Sequence, residues 1–143
     1  MKCTTIIDKE HEEEIIIYSR ERTELVDRIE RICSSADEGF LGFRASEIVR
    51  LSPEDVQLFT IRDGKVYAIC DTEEYQLRER LYTIEERVGA GFVKINQSCL
   101  ASISKIARFE ASVGGALSVV FKNGSRDYVS RRQLKTVKRA IGI

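Results

Sequence analysis

Residues 56–70 read VQLFTIRDGKVYAIC. Two runs rich in β-forming residues, Val56–Arg62 and Lys65–Cys70, flank Asp63-Gly64. A two-residue turn needs both central residues at positive φ, which Asp-Gly reaches at low cost, so this stretch predicts a tight β-hairpin. The same device recurs in residues 117–129, LSVVFKNGSRDYV. There Leu117, Val119 and Phe121 alternate with Ser118, Val120 and Lys122, the pattern of a strand with one buried face. Asn123-Gly124 turns that strand back into Ser125–Val129. Two such hairpins predict a mainly β chain with short helices, α+β overall.

Working outward, Tyr75 and Leu77 continue the first hairpin as a third strand. Leu81, Ile84 and Val88 recur at helical spacing and predict a helix over 78–88, stopped by Gly89. Phe92–Ile95 and Cys99–Ser102 read as extended, with Asn96-Gln97-Ser98 between them, and Gly114-Gly115 reads as a turn between two β runs. Ser130 is expected to cap a last helix whose apolar face is Leu134, Val137 and Ile141, with Gly142 just past its end. Upstream, Glu14–Tyr18 (EIIIY) predicts a short strand, and Leu25, Ile29 and Ile32 predict an amphipathic helix over 21–35. Gly39–Leu51 carries β-formers for one or two strands joined by a turn, and Ser52-Pro53-Glu54-Asp55 reads as a single helical turn or tight loop. The division falls near Leu51–Pro53: residues 1–51 form a small α/β extension, and residues 52–143 a β-rich domain.

At 143 residues the chain has the size of one domain plus a short extension, and 43% hydrophobic residues suffice to fill a core. No stretch approaches the roughly 18 apolar residues of a membrane helix. The start, MKCTTIIDKEHEEE, has no apolar core before a cleavage site, so a cytoplasmic protein without membrane insertion is expected. Cys3, Cys33, Cys70 and Cys99 contain no CxxC pair and have only His11 to join them, so no metal site is expected. They read instead as reduced thiols, mostly small buried hydrophobes. No glycine-rich loop of nucleotide-binding type follows a strand, and no cofactor is expected. His11 has no catalytic companion, and the adjacent carboxylates Glu73-Glu74 and Glu85-Glu86 diverge on a strand or helix. No nucleophile, base or metal cluster marks an enzyme.

Charge points elsewhere. Lys+Arg and Asp+Glu are 23 each, so the net charge is zero, but the signs are segregated. Residues 94–143 hold ten basic side chains against only Glu110 and Asp127, while both earlier portions are net acidic. A basic face is the electrostatic footprint of nucleic-acid binding, because each phosphate neutralised releases a counterion. The alternative is a solvated basic helix docking on the acidic half of the same chain.

The ordered pieces from Ser52 onward resemble the LytTR family of bacterial DNA-binding domains. The resemblance runs through Ser52-Pro53-Glu54-Asp55-Val56, IRDGKVYAI (61–69), Tyr75-Gln76-Leu77 and RLYTIEERV (80–88). It continues with FVKINQSCLAS (92–102), Ser104-Lys105-Ile106, the turn at Lys122-Asn123-Gly124 and VSRRQLK (129–135). Within that family it is most similar to small stand-alone members with an amino-terminal α/β extension, since no receiver domain of about 120 residues fits.

The resemblance implies elongated sheets that bind DNA through loops in successive major grooves. It makes Asn96 and Gln97 base-edge candidates; both can present a paired donor and acceptor to adenine. Arg131 and Arg132 become the second contact, to guanine edges or phosphates. Lys94 stands where the family usually has arginine, and Ser98, Lys105 and Lys122 are phosphate candidates, with the amides at Ser130 adding positive potential. Asn96, Gln97 and Ala101-Ser102 depart from the family pattern and leave the loop less basic than is usual. The function implied is a sequence-specific bacterial transcription regulator, response-regulator-like but without a receiver, whose partner is double-stranded DNA. Dimerisation, a regulatory protein partner or sensing falls to the amino-terminal extension. The alternative is a protein-interaction or ligand-sensing module of the same fold with little DNA affinity. Under the regulator reading, Arg132→Ala and Asn96→Ala are both expected to weaken binding at nearly unchanged thermal stability.

Overall fold

The computed structural model describes residues 2–12, 14–35 and 39–142. Seven strands make one antiparallel sheet: β1 (Phe40–Arg44), β2 (Glu47–Leu51), β3 (Leu58–Arg62), β4 (Lys65–Ile69), β5 (Glu74–Leu77), β6 (Phe92–Asn96) and β7 (Cys99–Ser102). Their order is β2-β1-β5-β4-β3-β7-β6. A second sheet, in the order β10-β9-β8, is built from β8 (Ile106–Ala111), β9 (Leu117–Phe121) and β10 (Arg126–Val129). The helices are α1 (Glu24–Ser35), α2 (Leu81–Val88) and α3 (Leu134–Ile141). The expected class, mainly β with short helices, is the observed one.

The period of two in the strands sorts the core into two layers. Phe59, fully buried, faces α2 together with Phe40, Leu51, Val66, Ala68, Leu77 and Leu100, beneath Leu81, Ile84 and Val88 of that helix. Its neighbour Leu58 faces the other way and packs with Val93, Ile95, Cys99 and Ala101 against Val119, Phe121 and Val129 of the small sheet and Val137 of α3. The large sheet is therefore covered by α2 on one face and by the small sheet with α3 on the other. Burying a side chain such as Phe59 is worth about 1.5–3 kcal/mol.

The first hairpin forms as its turn chemistry requires: Arg62 pairs with Lys65, and Asp63 and Gly64 take φ of 53° and 75°. The second differs from the expected two-residue turn: three residues separate Phe121 from Ser125, and only Gly124 (φ 88°), not Asn123, is left-handed. The Gly124 N–H donates to Phe121 O (2.9 Å), and the Asn123 side chain accepts from the Ser125 N–H (2.9 Å). The sheet runs across the division drawn at Leu51, because β1 pairs with β5 at Phe43 and Gln76. Gly42 permits that junction: a Cβ there would meet Tyr75 Cβ at 2.7 Å and Leu51 Cδ1 at 2.8 Å.

Four expectations are corrected. Glu14–Tyr18 forms no strand at its described positions, and Ile15, Ile16 and Tyr18 lie largely exposed. A β-prone run needs a neighbouring edge to bond, and among the described residues it pairs with none. The single buried face expected of residues 117–122 is not kept, since Val120 is 4% exposed between buried Val119 and Phe121, while the β run before Gly114-Gly115 forms β8 with a register shift between Ile106 and Arg108. Ser130 does not cap α3, because a turn over 131–133 intervenes and the capping position is Gln133. The four cysteines are all free, but only Cys99 is buried; Cys70 is half-buried, and Cys3 and Cys33 are exposed.

Candidate nucleic-acid interface

The turn between β6 and β7 starts with an irregularity. Lys94 pairs with Leu100, but the next pair is Asn96 with Cys99, a register shift that places one extra residue in β6. A bulge of this kind re-aims side chains. Here it turns Asn96 inward, 1% exposed. The Asn96 Nδ2 donates to Asp127 Oδ1 (2.9 Å) and to the Tyr128 carbonyl (2.8 Å), while its Oδ1 accepts the Ser98 N–H (2.8 Å). These bonds occupy both amide protons and the carbonyl oxygen, so Asn96 has no edge to present to a base. That corrects the role expected of it. Asn96 holds the turn, and exposed Gln97 and Ser98 form its tip.

The second turn lies beside the first because the Ser130 N–H donates to the Ile95 carbonyl (2.8 Å). Its carbonyl in turn accepts the Gln133 N–H (3.0 Å), closing a turn that carries Arg131 and Arg132 outward. Neither arginine has an ion-pair partner among the described residues. Gln97, Ser98, Ser130, Arg131 and Arg132 are thus brought to one end of the molecule. Two features unassigned in the sequence join them there. Tyr128 is 60% exposed just before the second turn. The Ile61 N–H donates to Ser98 O (2.8 Å), which sets the Asp63-Gly64 hairpin, with exposed Lys65, beside the first turn. Only long-range strand pairing carries that signal.

The remaining candidates lie apart. Lys94 is half-buried on the α2 side of the sheet, the side of its partner Leu100. Lys105 and Lys122 are linked through the Lys122 N–H and the Lys105 carbonyl (2.9 Å) at the far end of the small sheet. The length of β10, roughly 13 Å at 3.3 Å per residue, separates them from the arginine turn. They line a cleft with Arg50, Glu54, Asp55, Asp71 and Glu73, so their field is offset by carboxylates across the cleft.

The two acids of the basic segment are both engaged internally. Asp127 takes the Asn96 amide and the Tyr128 N–H (2.8 Å). Glu110 binds Arg126 (Nη1 to Oε2, 2.7 Å) and Arg108 (Nε to Oε1, 2.9 Å). Hydrogen bonds from Arg126 first, then Arg108, hold its carboxyl below the usual range. Burial raises the Cys99 thiol, with Asp127 adding to it, so this cysteine stays protonated and inert.

Residues 46–142 match the family model of the LytTr DNA-binding domain. The chain belongs to the LytTR family. An uncharacterized HTH-type transcriptional regulator of Staphylococcus aureus is 27% identical over 146 residues, covering 100% of this chain and 99% of that protein. The sensory transduction protein LytT of Enterococcus faecalis is 28% identical over 97 residues, which is 67% of this chain and 40% of that protein. A LytTr DNA-binding domain from Bacillus cereus has the same fold, with a TM-score of 0.70 at 14% identity over 75% of this chain and 99% of that one. Despite the name its relatives carry, the described residues of this LytTR chain contain no two consecutive helices joined by a short turn. No described helix is long and apolar enough to cross a membrane.

Proposed function

We propose that this LytTR chain is a bacterial transcription regulator that binds duplex DNA sequence-specifically through its paired turns. The observation that carries the reading is the Ser130–Ile95 hydrogen bond, which sets the unpaired Arg131 and Arg132 beside Gln97 at one exposed end. The exposed Gln97 amide suits an adenine edge, and the arginines suit guanine edges or phosphates. Ser98, Tyr128 and Lys65 extend the basic and polar rim. Binding, with no chemical step, is the whole activity. The amino-terminal segment supplies dimerisation or docks a regulatory partner. Ile6, Ile7, Ile15, Ile16 and Tyr18, all more than half exposed, favour that assignment. A dimer would address paired half-sites.

The test is binding of the DNA upstream of the chain's own gene across a salt series. Affinity should fall linearly in log-log form with added salt. Gln97→Ala should relax discrimination at one base position, by about 1–3 kcal/mol, and leave the salt slope unchanged. Binding indifferent to salt would overturn the reading.

A further inference from the structure

At the end of the small sheet away from the two turns, a cleft of about 600 Å³ opens between the two sheets. It is lined from the large sheet by β2, by the Pro53–Asp55 turn and by the loop after β4, and from the other side by Lys105, just before β8, and Lys122, just after β9. The Asn123 side chain, donating to the Cys70 carbonyl (2.9 Å), ties the two sheets together there. Gln57 lines this cleft and is only 4% exposed. Its backbone is fixed on both sides: its N–H donates to the Ile69 carbonyl (2.7 Å) and its carbonyl accepts the Ser102 N–H (3.0 Å). Its side-chain Oε1 is buried with no hydrogen-bond partner among the described residues. A buried acceptor without a donor costs stability, and its presence beside a cleft points to a donor that arrives from outside.

The charges around it are of both signs: Arg50, Lys105 and Lys122 stand against Glu54, Asp55, Asp71 and Glu73. Glu54 and Asp71 have no ion-pair partner among the described residues, whereas Glu73 is paired with Arg44. Asp55 accepts the Ser52 N–H (3.0 Å). Lys105 and Lys122 are likewise without a carboxylate partner among the described residues. Two other chemistries do not suit the cleft. Burial first, then Asp55 and Glu73, push the Cys70 thiol up to about 11, which leaves it protonated at neutral pH and unsuited to nucleophilic work. No group of three metal-ligating side chains is found among the described residues.

We propose that this cleft binds a small zwitterion bearing a primary ammonium and a carboxylate, of the size of a free amino acid or dipeptide. The ammonium donates to Gln57 Oε1 and faces the carboxylates of Glu54, Asp55 and Asp71. The carboxylate faces Lys105 and Lys122. A simple anion leaves the Gln57 acceptor unanswered, and a simple amine leaves both lysines unanswered. Because the cleft joins the sheet that carries Gln97 to the sheet that precedes Arg131, an occupant would brace the two against each other. The site itself stands independently of DNA binding.

The experiment is a thermal-shift and calorimetric titration of the full chain, without DNA, using free α-amino acids and dipeptides in separate arms. Methylamine and acetate, each carrying one half of the proposed ligand, serve as controls. At least one zwitterion should raise Tm saturably, as a ligand selective for the folded state must, while neither control does at the same concentration. Gln57→Met keeps the side-chain volume and removes the acceptor; Lys122→Met removes an exposed cation. Each should weaken binding at least tenfold, and Lys122→Met should leave the unliganded Tm unchanged, so it carries the test should Gln57→Met fold poorly. The amino-acid and dipeptide arms decide the ligand's length. The proposal is overturned if no zwitterion binds saturably, if acetate binds as well as the zwitterion, or if Lys122→Met binds undiminished.

Discussion

Two pairs of arginines, one on the small sheet and one on the turn that leaves it, meet opposite fates. Arg108 and Arg126 lie in one row across the small sheet, both in register with Val120, and Glu110 sits close enough to bind both. Arg131 and Arg132 follow where the chain leaves β10, and the acid nearest them in sequence, Asp127, is turned inward onto Asn96. All four are exposed and of the same chemistry. What separates them is whether strand register places a carboxylate opposite. The cationic excess of residues 94–143 therefore overstates the field offered to a partner: part of it is closed by Glu110, part lines the cleft, Lys94 lies on the α2 side, Lys135, Lys138 and Arg139 are exposed on α3, and Arg131 and Arg132 stand at the second turn.

The largest expected effect tests that contrast directly. Replacing Arg131 and Arg132 together by alanine should cost about 1–3 kcal/mol of DNA affinity per side chain and reduce the salt slope by about one for each phosphate left without its cation. Replacing Arg108 and Arg126 together should change affinity far less and leave the slope nearly intact. Equal losses from the two pairs, measured by fluorescence anisotropy over a salt series, would break the comparison.

Next in size is the residue that keeps Asp127 away from the arginines. Asn96→Ala leaves the Ser98 N–H, the Tyr128 carbonyl and Asp127 each short of a partner. It should lower stability by about 1–3 kcal/mol, a Tm loss of several degrees by calorimetry. Gln97→Ala, one residue on and exposed, should leave Tm unchanged. The sequence alone led to the opposite expectation for Asn96, a binding loss at constant stability. A Tm equal to that of the unaltered chain would restore it.

The reason for that misreading is general. Local signals proved readable wherever turn chemistry acts over a few residues: the Asp63-Gly64 hairpin and the Gly89 and Gly142 helix ends. The family was legible for the same reason, since its pieces are short and ordered. Asn96 was not, because one extra residue in β6 reverses which side it faces, and nothing in Lys94-Ile95-Asn96-Gln97 marks the shift. The partner that rewards it, Asp127, lies 31 residues away. Ser130 has the side chain of a cap but lies three residues before the capping position, because a turn and a helix start share their first hydrogen bond. The β propensity of Glu14–Tyr18 says nothing about whether an edge is present to pair with. Free and neutralised arginines look identical in a sequence, since the difference is a register between strands.

The smallest effect sharpens the comparison from the closed side. Glu110 has its carboxyl held below the usual range, with the Arg126 hydrogen bond the largest cause and that of Arg108 the next. A depressed folded-state value means that the ion pair contributes above the ordinary carboxylate range and is lost as pH falls through the lowered value. The group is solvent-exposed, so the effect on global stability is expected to be slight. A site-resolved carboxyl NMR titration reads it without needing stability at all. Arg126→Ala should move the Glu110 midpoint up towards that of a free glutamate, Arg108→Ala should move it less, and high salt should act in the same direction by screening. A midpoint untouched by Arg126→Ala would mean that Glu110 does not hold that arginine in solution. Arg126 would then belong with Arg131 and Arg132 among the cations available to a phosphate backbone.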